Sequence, residues 1–245
     1  MLTQIRKIGF IPLFSPGVTP AALDTLGRAG ITCAAFASSD KTALQTASAR
    51  PDFMAGVTEV SSLNEAHSCA ASGAKFIALS APSDEQTAWA QEAGLVCVQG
   101  SELLGGVVPV PTEISQDENA LAGFLQQKIR VMLGFDLRHV GINSPDENTS
   151  SKTADAFERI FGFPKTDRGG AYFAGEIIEV MKKPFYGTHG HIAIATRSAE
   201  SAAYYLEHAG VTLNWQSAGY NPDGRLRVVY LQEEIGGFAV HILQK

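Results

Sequence analysis

The chain has 245 residues, 45% of them apolar, with a formal charge of −6, enough to bury substantial cores in one large or two medium domains. The acidic balance comes without a basic stripe, which argues against a nucleic-acid partner, and no apolar run reaches the roughly 18 residues that a membrane span needs. No signal-peptide core precedes the first apolar segment, so the expected compartment is the cytoplasm.

In chain order, Met1–Lys7 is expected to pass straight into a strand at Ile8–Phe14. Further apolar runs follow at Ile31–Phe36, Phe53–Val57, Lys75–Leu79 and Leu95–Val98, separated by helical segments such as Ser62–Ala71 and Asp84–Ala93. This alternation is βαβ punctuation. Gly30, Gly73 and Gly94 each stand just before a strand, where a helix ends in the left-handed conformation that favours a residue without Cβ. Strands that are continuously apolar imply a parallel sheet covered on both faces. Cys33, Cys69 and Cys97 lack the close spacing of a zinc knuckle or redox motif and are read as small reduced residues.

Phe10-Ile11-Pro12-Leu13-Phe14, Gly30-Ile31, Gly73-Ala74-Lys75-Phe76-Ile77 and Glu92-Ala93-Gly94-Leu95, with Gly100 shortly after, resemble in order and spacing the first βα units of the 2-keto-3-deoxy-6-phosphogluconate and 4-hydroxy-2-oxoglutarate aldolases. The resemblance implies that residues 1–114 form a truncated (β/α) barrel, cut after five strands. That family carries a Schiff-base lysine on its sixth strand and a glutamate on its second. Here no lysine lies between Lys75 and Lys128, and Thr32–Ala37 contains no acid, so aldol chemistry is expected to be lost. Lys75 reads as a strand-start residue with a solvated amine, because a Schiff-base lysine needs desolvation or a neighbouring cation. Open sheet edges must be covered or paired. Gly105–Val110, the helix from Asp117 to Leu133, the second domain or another subunit is expected to fill the gap, and a homo-oligomer is favoured over a monomer.

Residues 115–135 read as a linker helix: Ser115-Gln116-Asp117-Glu118 places acids in its first turn, and Leu121, Phe124, Leu125, Ile129, Met132 and Leu133 give an apolar stripe. A repeat then occupies residues 136–245. Arg138-His139-Val140-Gly141-Ile142 returns as Gly190-His191-Ile192-Ala193-Ile194, and each copy runs through a helix (Lys152–Phe161, Ala199–Ala209) to a strand bearing one more candidate ligand, Glu179 or His241. Because alternate strand residues share a face, His139 aligns with Gly141 and Asn143, and His191 with Ala193 and Ala195. The branched residues face the other way, toward the helices, and the small residues leave a hollow. A carboxylate flanked by Ile178 and Val180 needs a charged partner when buried, and a metal ion is such a partner.

The openings at His139 and His191, the helix followed by Phe161-Gly162-Phe163, the helix ending Ala209-Gly210-Val211 and the closing Gly237-Phe238-Ala239-Val240-His241-Ile242 resemble the vicinal oxygen chelate superfamily, which includes glyoxalase I, extradiol dioxygenases, methylmalonyl-CoA epimerase and the metal-free bleomycin-resistance proteins. The resemblance implies a paired βαβββ domain of α+β class beside the α/β first domain. It implies a divalent metal ion (Zn, Ni, Co, Mn or Fe) held by His139, Glu179, His191 and His241. His241 departs from the carboxylate usual at its position. Histidine both binds such metals and moves protons near neutral pH, so His241, or the nearby His189, is the candidate catalytic residue. Tyr172, Tyr186, Tyr220 and Arg227 are candidates to orient an anionic substrate. Gly219–Arg225 is rich in turn formers and reads as a hairpin tip.

The function expected is that of a metal-dependent, glyoxalase-like lyase or isomerase acting on a small 2-oxo or 2-hydroxy acid by enolate stabilisation. The first competing reading is a non-catalytic metabolite-binding protein with both domains degenerate. The second, a keto-acid aldolase, lacks its lysine.

Overall fold

The computed structural model describes residues 1–245 and divides into two compact units, Met1–Met132 and Leu133–Lys245. No helix is long and apolar enough to cross a membrane.

The first unit runs α1 (Leu2–Ile8), β1 (Phe10–Phe14), α2 (Pro20–Arg28), β2 (Cys33–Ala37), α3 (Lys41–Ser48), β3 (Met54–Thr58), α4 (Leu63–Ala71), β4 (Phe76–Leu79), α5 (Asp84–Glu92), β5 (Val96–Gln99), β6 (Gly106–Val110), α6 (Thr112–Ser115) and α7 (Glu118–Leu133). Its strands form a parallel half-barrel in the order β5-β4-β3-β2-β1-β6. Side chains cap the helices as their sequences suggest. Thr19, Asp40 and Ser62 accept from the backbone N–H three residues on, and Ser83 with Gln86 forms a capping box. Gly30 takes the expected left-handed conformation at φ 77°. Both faces of the sheet are filled. Phe14 stacks on Phe36 with centroids 6.2 Å apart, and Phe76, one register row away, lies over Gly56. Each such buried ring contributes about 1.5–3 kcal/mol.

One expectation changes and another is narrowed. Met1–Ile8 does not run directly into a strand: Leu2–Ile8 is helical, Ile5 and Ile8 are fully buried, and Gly9 ends the helix at φ 82°. Leu2, Ile5 and Ile8 recur at three-residue spacing, a helical period that the apolar run after Ile8 conceals. The sheet also has a sixth strand, since Gly106–Val110 pairs in parallel with β1 along its whole length. Pro109 cannot donate to a further strand, which suits β6 to an edge. Lys75 is exposed just before β4. Cys33 is fully buried, and burial pushes its thiol up to about 12.

The second unit runs β7 (Asp136–Ile142), α8 (Glu147–Phe161), β8 (Lys165–Asp167), β9 (Ala171–Ala174), β10 (Ile178–Met181), β11 (Gly190–Thr196), α9 (Ala199–His208), β12 (Leu213–Tyr220), β13 (Leu226–Leu231) and β14 (Phe238–Gln244). They make one mixed eight-stranded sheet, β12-β13-β14-β11-β7-β10-β9-β8. The order is symmetric about the antiparallel β7–β11 pair: each module contributes its first strand at the centre, then its last, then its middle strands outward. The helix α8 begins at Glu147, earlier than its apolar pattern suggests, because the Asp146 carboxylate accepts from the Thr149 N–H. It docks through Ala154 and Ser150, whose hydroxyl donates to the Val180 carbonyl at 2.8 Å. Val180 is fully buried beneath it, on the face opposite Glu179.

Candidate metal centre

The dyad that relates the modules places the candidate residues in register. His191 pairs with Gly141 and His139 with Ala193 across the central strands. Outward, Gly141 pairs with Glu179 on β10, and Ala193 pairs with His241 on β14, so Glu179 and His241 occupy equivalent positions. Paired residues of neighbouring strands point the same way. Two adjacent rows therefore cross one face of the sheet: Phe173, Glu179, Gly141, His191 and Ala239 in one, and His139, Ala193, His241 and Tyr230 in the other.

Small residues between large ones create the room. A Cβ on Gly141 would fall 2.1 Å from Cε1 and 2.3 Å from Nδ1 of His191, so that ring rests directly on the glycine. The Nδ1 atoms of His191 and His241 are buried without a hydrogen-bond partner. The seat over Gly141, in place of a second hydrogen bond, holds the orientation of the His191 ring, a departure from the usual support of a ligating imidazole.

Three ligand atoms converge from this scaffold. Nε2 of His139 and Nε2 of His191 lie 3.2 Å apart, and each is 3.0 Å from Oε2 of Glu179. His241 stands beside this trio, its ring centroid 5.4 Å from that of His191 and 5.7 Å from that of His139. Burial alone would raise the Glu179 carboxyl, but the hydrogen bonds and electrostatic attraction of the His139 and His191 rings overcome it and hold the group down to about 2. Burial, reinforced by His191 and His139, pushes His241 down to about 3 against the opposing pull of Glu179. At neutral pH the site thus presents an ionised carboxylate and a neutral imidazole. Two imidazole nitrogens and a carboxylate oxygen within 4.8 Å of one another, with no lysine or arginine paired to the acid, form a donor set that fits a divalent transition metal.

These groups line a cavity of about 590 Å³. Phe185, Tyr186 and Tyr230 form an aromatic wall with centroid separations of 4.6 Å (Phe185–Tyr186) and 4.8 Å (Tyr186–Tyr230). Asn143 pins the segment that carries it: its amide donates to the carbonyls of Phe185 and Gly187, and its oxygen accepts from the Phe185 N–H. Tyr230 packs edge-on against His241 at 4.5 Å, and its hydroxyl is raised by burial and by the charge of Glu179. On the far side, the pairing of β12 with β13 is interrupted between Asn214 and Gly219, and the looped-out segment brings Gln216 and Ser217 to the wall. Ser217 Oγ accepts from the Tyr230 N–H and donates to the Asn214 carbonyl, closing the interruption.

Of the residues singled out in the sequence, His139, Glu179, His191, His241, Tyr186 and Arg227 line this cavity. The rest lie elsewhere. Tyr172 donates to Glu147, and Lys165 and Lys182 sit over its ring at 4.5 and 4.3 Å. Tyr220 is 56% exposed at the end of β12. His189 is exposed, with its ring packed toward Phe238 and its backbone bonded to Gly237. Sequence reasoning missed Phe185, Tyr230, Gln216 and Ser217. Only Tyr230 left a signal, as the site-facing partner of His241 by strand alternation.

The chain is similar in its N-terminal part to keto-acid aldolases and in its C-terminal part to a methylmalonyl-CoA epimerase. The 4-hydroxy-2-oxoglutarate aldolase from TTHB1 is 21% identical, covering 66% of this chain and 72% of its own, with a TM-score of 0.35. The 2-keto-3-deoxy-6-phosphogluconate aldolase of Zymomonas mobilis ZM4 is 12% identical over 65% of this chain and 69% of its own, with a TM-score of 0.35. A variant of Streptomyces coelicolor methylmalonyl-CoA epimerase, bound to 2-nitronate-propionyl-CoA, is 14% identical over 44% of this chain and 96% of its own, with a TM-score of 0.33. No family model and no curated protein matches the sequence.

Proposed function

We propose that this chain is a metal-dependent lyase or isomerase of small 2-oxo or 2-hydroxy acids, acting in the cavity of the second unit. The observation that carries the reading is the convergence of Nε2 of His139, Nε2 of His191 and Oε2 of Glu179 within 3.2 Å at the wall of that cavity. His139, Glu179 and His191 would hold a divalent ion, Zn, Ni, Co, Mn or Fe, which when bound supplies Lewis acidity toward two neighbouring substrate oxygens. A single carboxylate leaves a net positive charge at the site, so negative charge developing on those oxygens is favoured.

His241 is assigned the proton. Its imidazole lies outside the close trio, on the cavity wall between His191 and Tyr230, where a ring nitrogen could take a proton from the carbon next to the substrate carbonyl. Phe185, Tyr186 and Tyr230 would give that carbon an aromatic flank. The edge strands β5 and β6 of the first unit support a homo-oligomer, which sedimentation would test.

The test of the function has two parts. Elemental analysis of purified protein should find stoichiometric metal that disappears in a His139→Ala, His191→Ala double variant. Proton NMR in D2O should then show the loaded protein exchanging the hydrogens next to the carbonyl of a 2-oxo acid. A metal-free protein that binds such acids without exchange would instead be a metabolite-binding protein.

A further inference from the structure

We infer that the same cavity contains an anion subsite built on Arg227, and that the substrate carries a second acid group, a carboxylate or a phosphate, at the end away from the chelating oxygens. This deepens the proposed function and rests on it only for the chelating end.

The argument begins with register. Across β12 and β13, Tyr220 pairs with Leu226 and Gly219 with Val228, so Arg227 is an extra residue with no partner opposite, a β-bulge. In an unbroken strand Arg227 would point away from the face of Val228 and Tyr230, toward the side where Val229 is buried. The bulge turns it back. A Cβ on Gly219 would fall 2.9 Å from Cγ1 of Val228 and 3.2 Å from Nη2 of Arg227, so both side chains lie over the glycine on one face. Arg227 and Val228 accordingly both line the cavity. Gly219 leaves the space that the guanidinium occupies.

The charge is also uncommitted. Arg138, Arg168 and Arg225 in this unit each pair with an acid, Glu176 for the first two and Asp223 for the third. Arg227 has no such acid, and the one carboxylate of the cavity, Glu179, is committed to His139 and His191. In the sheet order, β14 and β11 separate the strand of Arg227 from β7, and Glu179 lies one strand further still. A cation on β13 and the ligand trio on β7, β10 and β11, all lining one cavity, fit an acid that carries an anionic group beyond its chelating end. Guanidinium binds carboxylate and phosphate alike through paired N–H donors.

The experiment is calorimetric titration of the full chain with acids that differ only at the distal end. The pair 2-oxoglutarate and 2-oxopentanoate exchanges a carboxylate for a methyl group; the pair 3-phosphoglycerate and glycerate removes a phosphate. Wild type should prefer the distal acid in at least one pair by about tenfold or more, the scale of one charge-assisted contact. The preferred pair identifies the anion. Arg227→Gln should erase that preference while leaving metal content unchanged, and Gly219→Val, which keeps the charge but fills its place, should reduce it. Equal binding within both pairs, a preference that survives Arg227→Gln, or no binding of any of these acids at millimolar concentration would overturn the inference. A distal-acid preference in protein that holds no metal would uphold the subsite and discard the proposed chemistry.

Discussion

Both units seat an aromatic ring on a glycine of the neighbouring strand, and to opposite ends. In the first, Phe76 lies over Gly56, where a Cβ would come within 2.2 Å of the ring; in the second, His191 lies over Gly141, where it would come within 2.1 Å. The steric device is the same. Phe76 is fully buried and completes a core, whereas His191 directs Nε2 toward Glu179 and His139 on the wall of a cavity. What separates core from site is the chemistry of the seated ring and of its neighbours, since Ala193 and Ala239 extend the small-residue surface around His191 while Phe14 and Phe36 fill the first unit.

The largest expected effect sets the two units apart by activity. His241→Gln should retain metal and slow hydrogen–deuterium exchange of a 2-oxo acid by about 10²–10⁴-fold, the usual contribution of a positioned proton carrier. Lys75→Met in the first unit should leave exchange unchanged, and borohydride with pyruvate should trap no imine on any lysine. A trapped adduct, read by intact mass, would return aldolase chemistry to the first unit.

The glycine seats come next. Gly141→Ala should displace the His191 ring and weaken metal binding about 10–100-fold, comparable to losing the support of a ligating histidine; competition with a chelator measures it. An unchanged affinity would mean that the seat does not hold the ligand.

Acid should also act on the second unit first. Glu179 is held at about 2 against an ordinary 4.5, and His241 at about 3 against 6.5. In both cases the unfolded chain binds the proton more readily, so stability is lost as pH falls, from about 6.5 to 3 for His241 and from about 4.5 to 2 for Glu179. Each displaced pH unit is worth at most about 1.4 kcal/mol per group, less where the group is partly solvated. The tryptophans report separately, Trp89 from the first unit and Trp215 from the second. Acid titration of Trp89→Phe and Trp215→Phe variants by fluorescence should show the Trp215 signal changing at the higher pH. The smallest effect is Gly56→Ala, a core overpacking expected to cost about 1–3 kcal/mol in urea unfolding without touching metal affinity.

The sequence by itself determined whatever depends on local period and on the repeat. Gly30 and its counterparts marked the αβ junctions, and the matched His139 and His191 openings identified the strands that meet at the dyad. The matching places in the repeat, and the resemblance they carry, grouped Glu179 and His241 with those histidines. The short helix before β1 was hidden by an apolar run that suits either period, and among the segments expected to close the sheet only the pairing with β1 showed that Gly106–Val110 does so. The tertiary structure alone decided which atoms meet. His191 rests on Gly141 fifty residues earlier, Tyr230 reaches His241 across a strand pair, and Asn143 fixes the loop of Phe185. Likewise only the bulge at Arg227 turned a residue that alternation assigns to the helix side into the cavity. Backbone periodicity is a local property that neighbouring residues impose, whereas a cavity is a relation among strands that the chain brings together only when the whole sheet has closed.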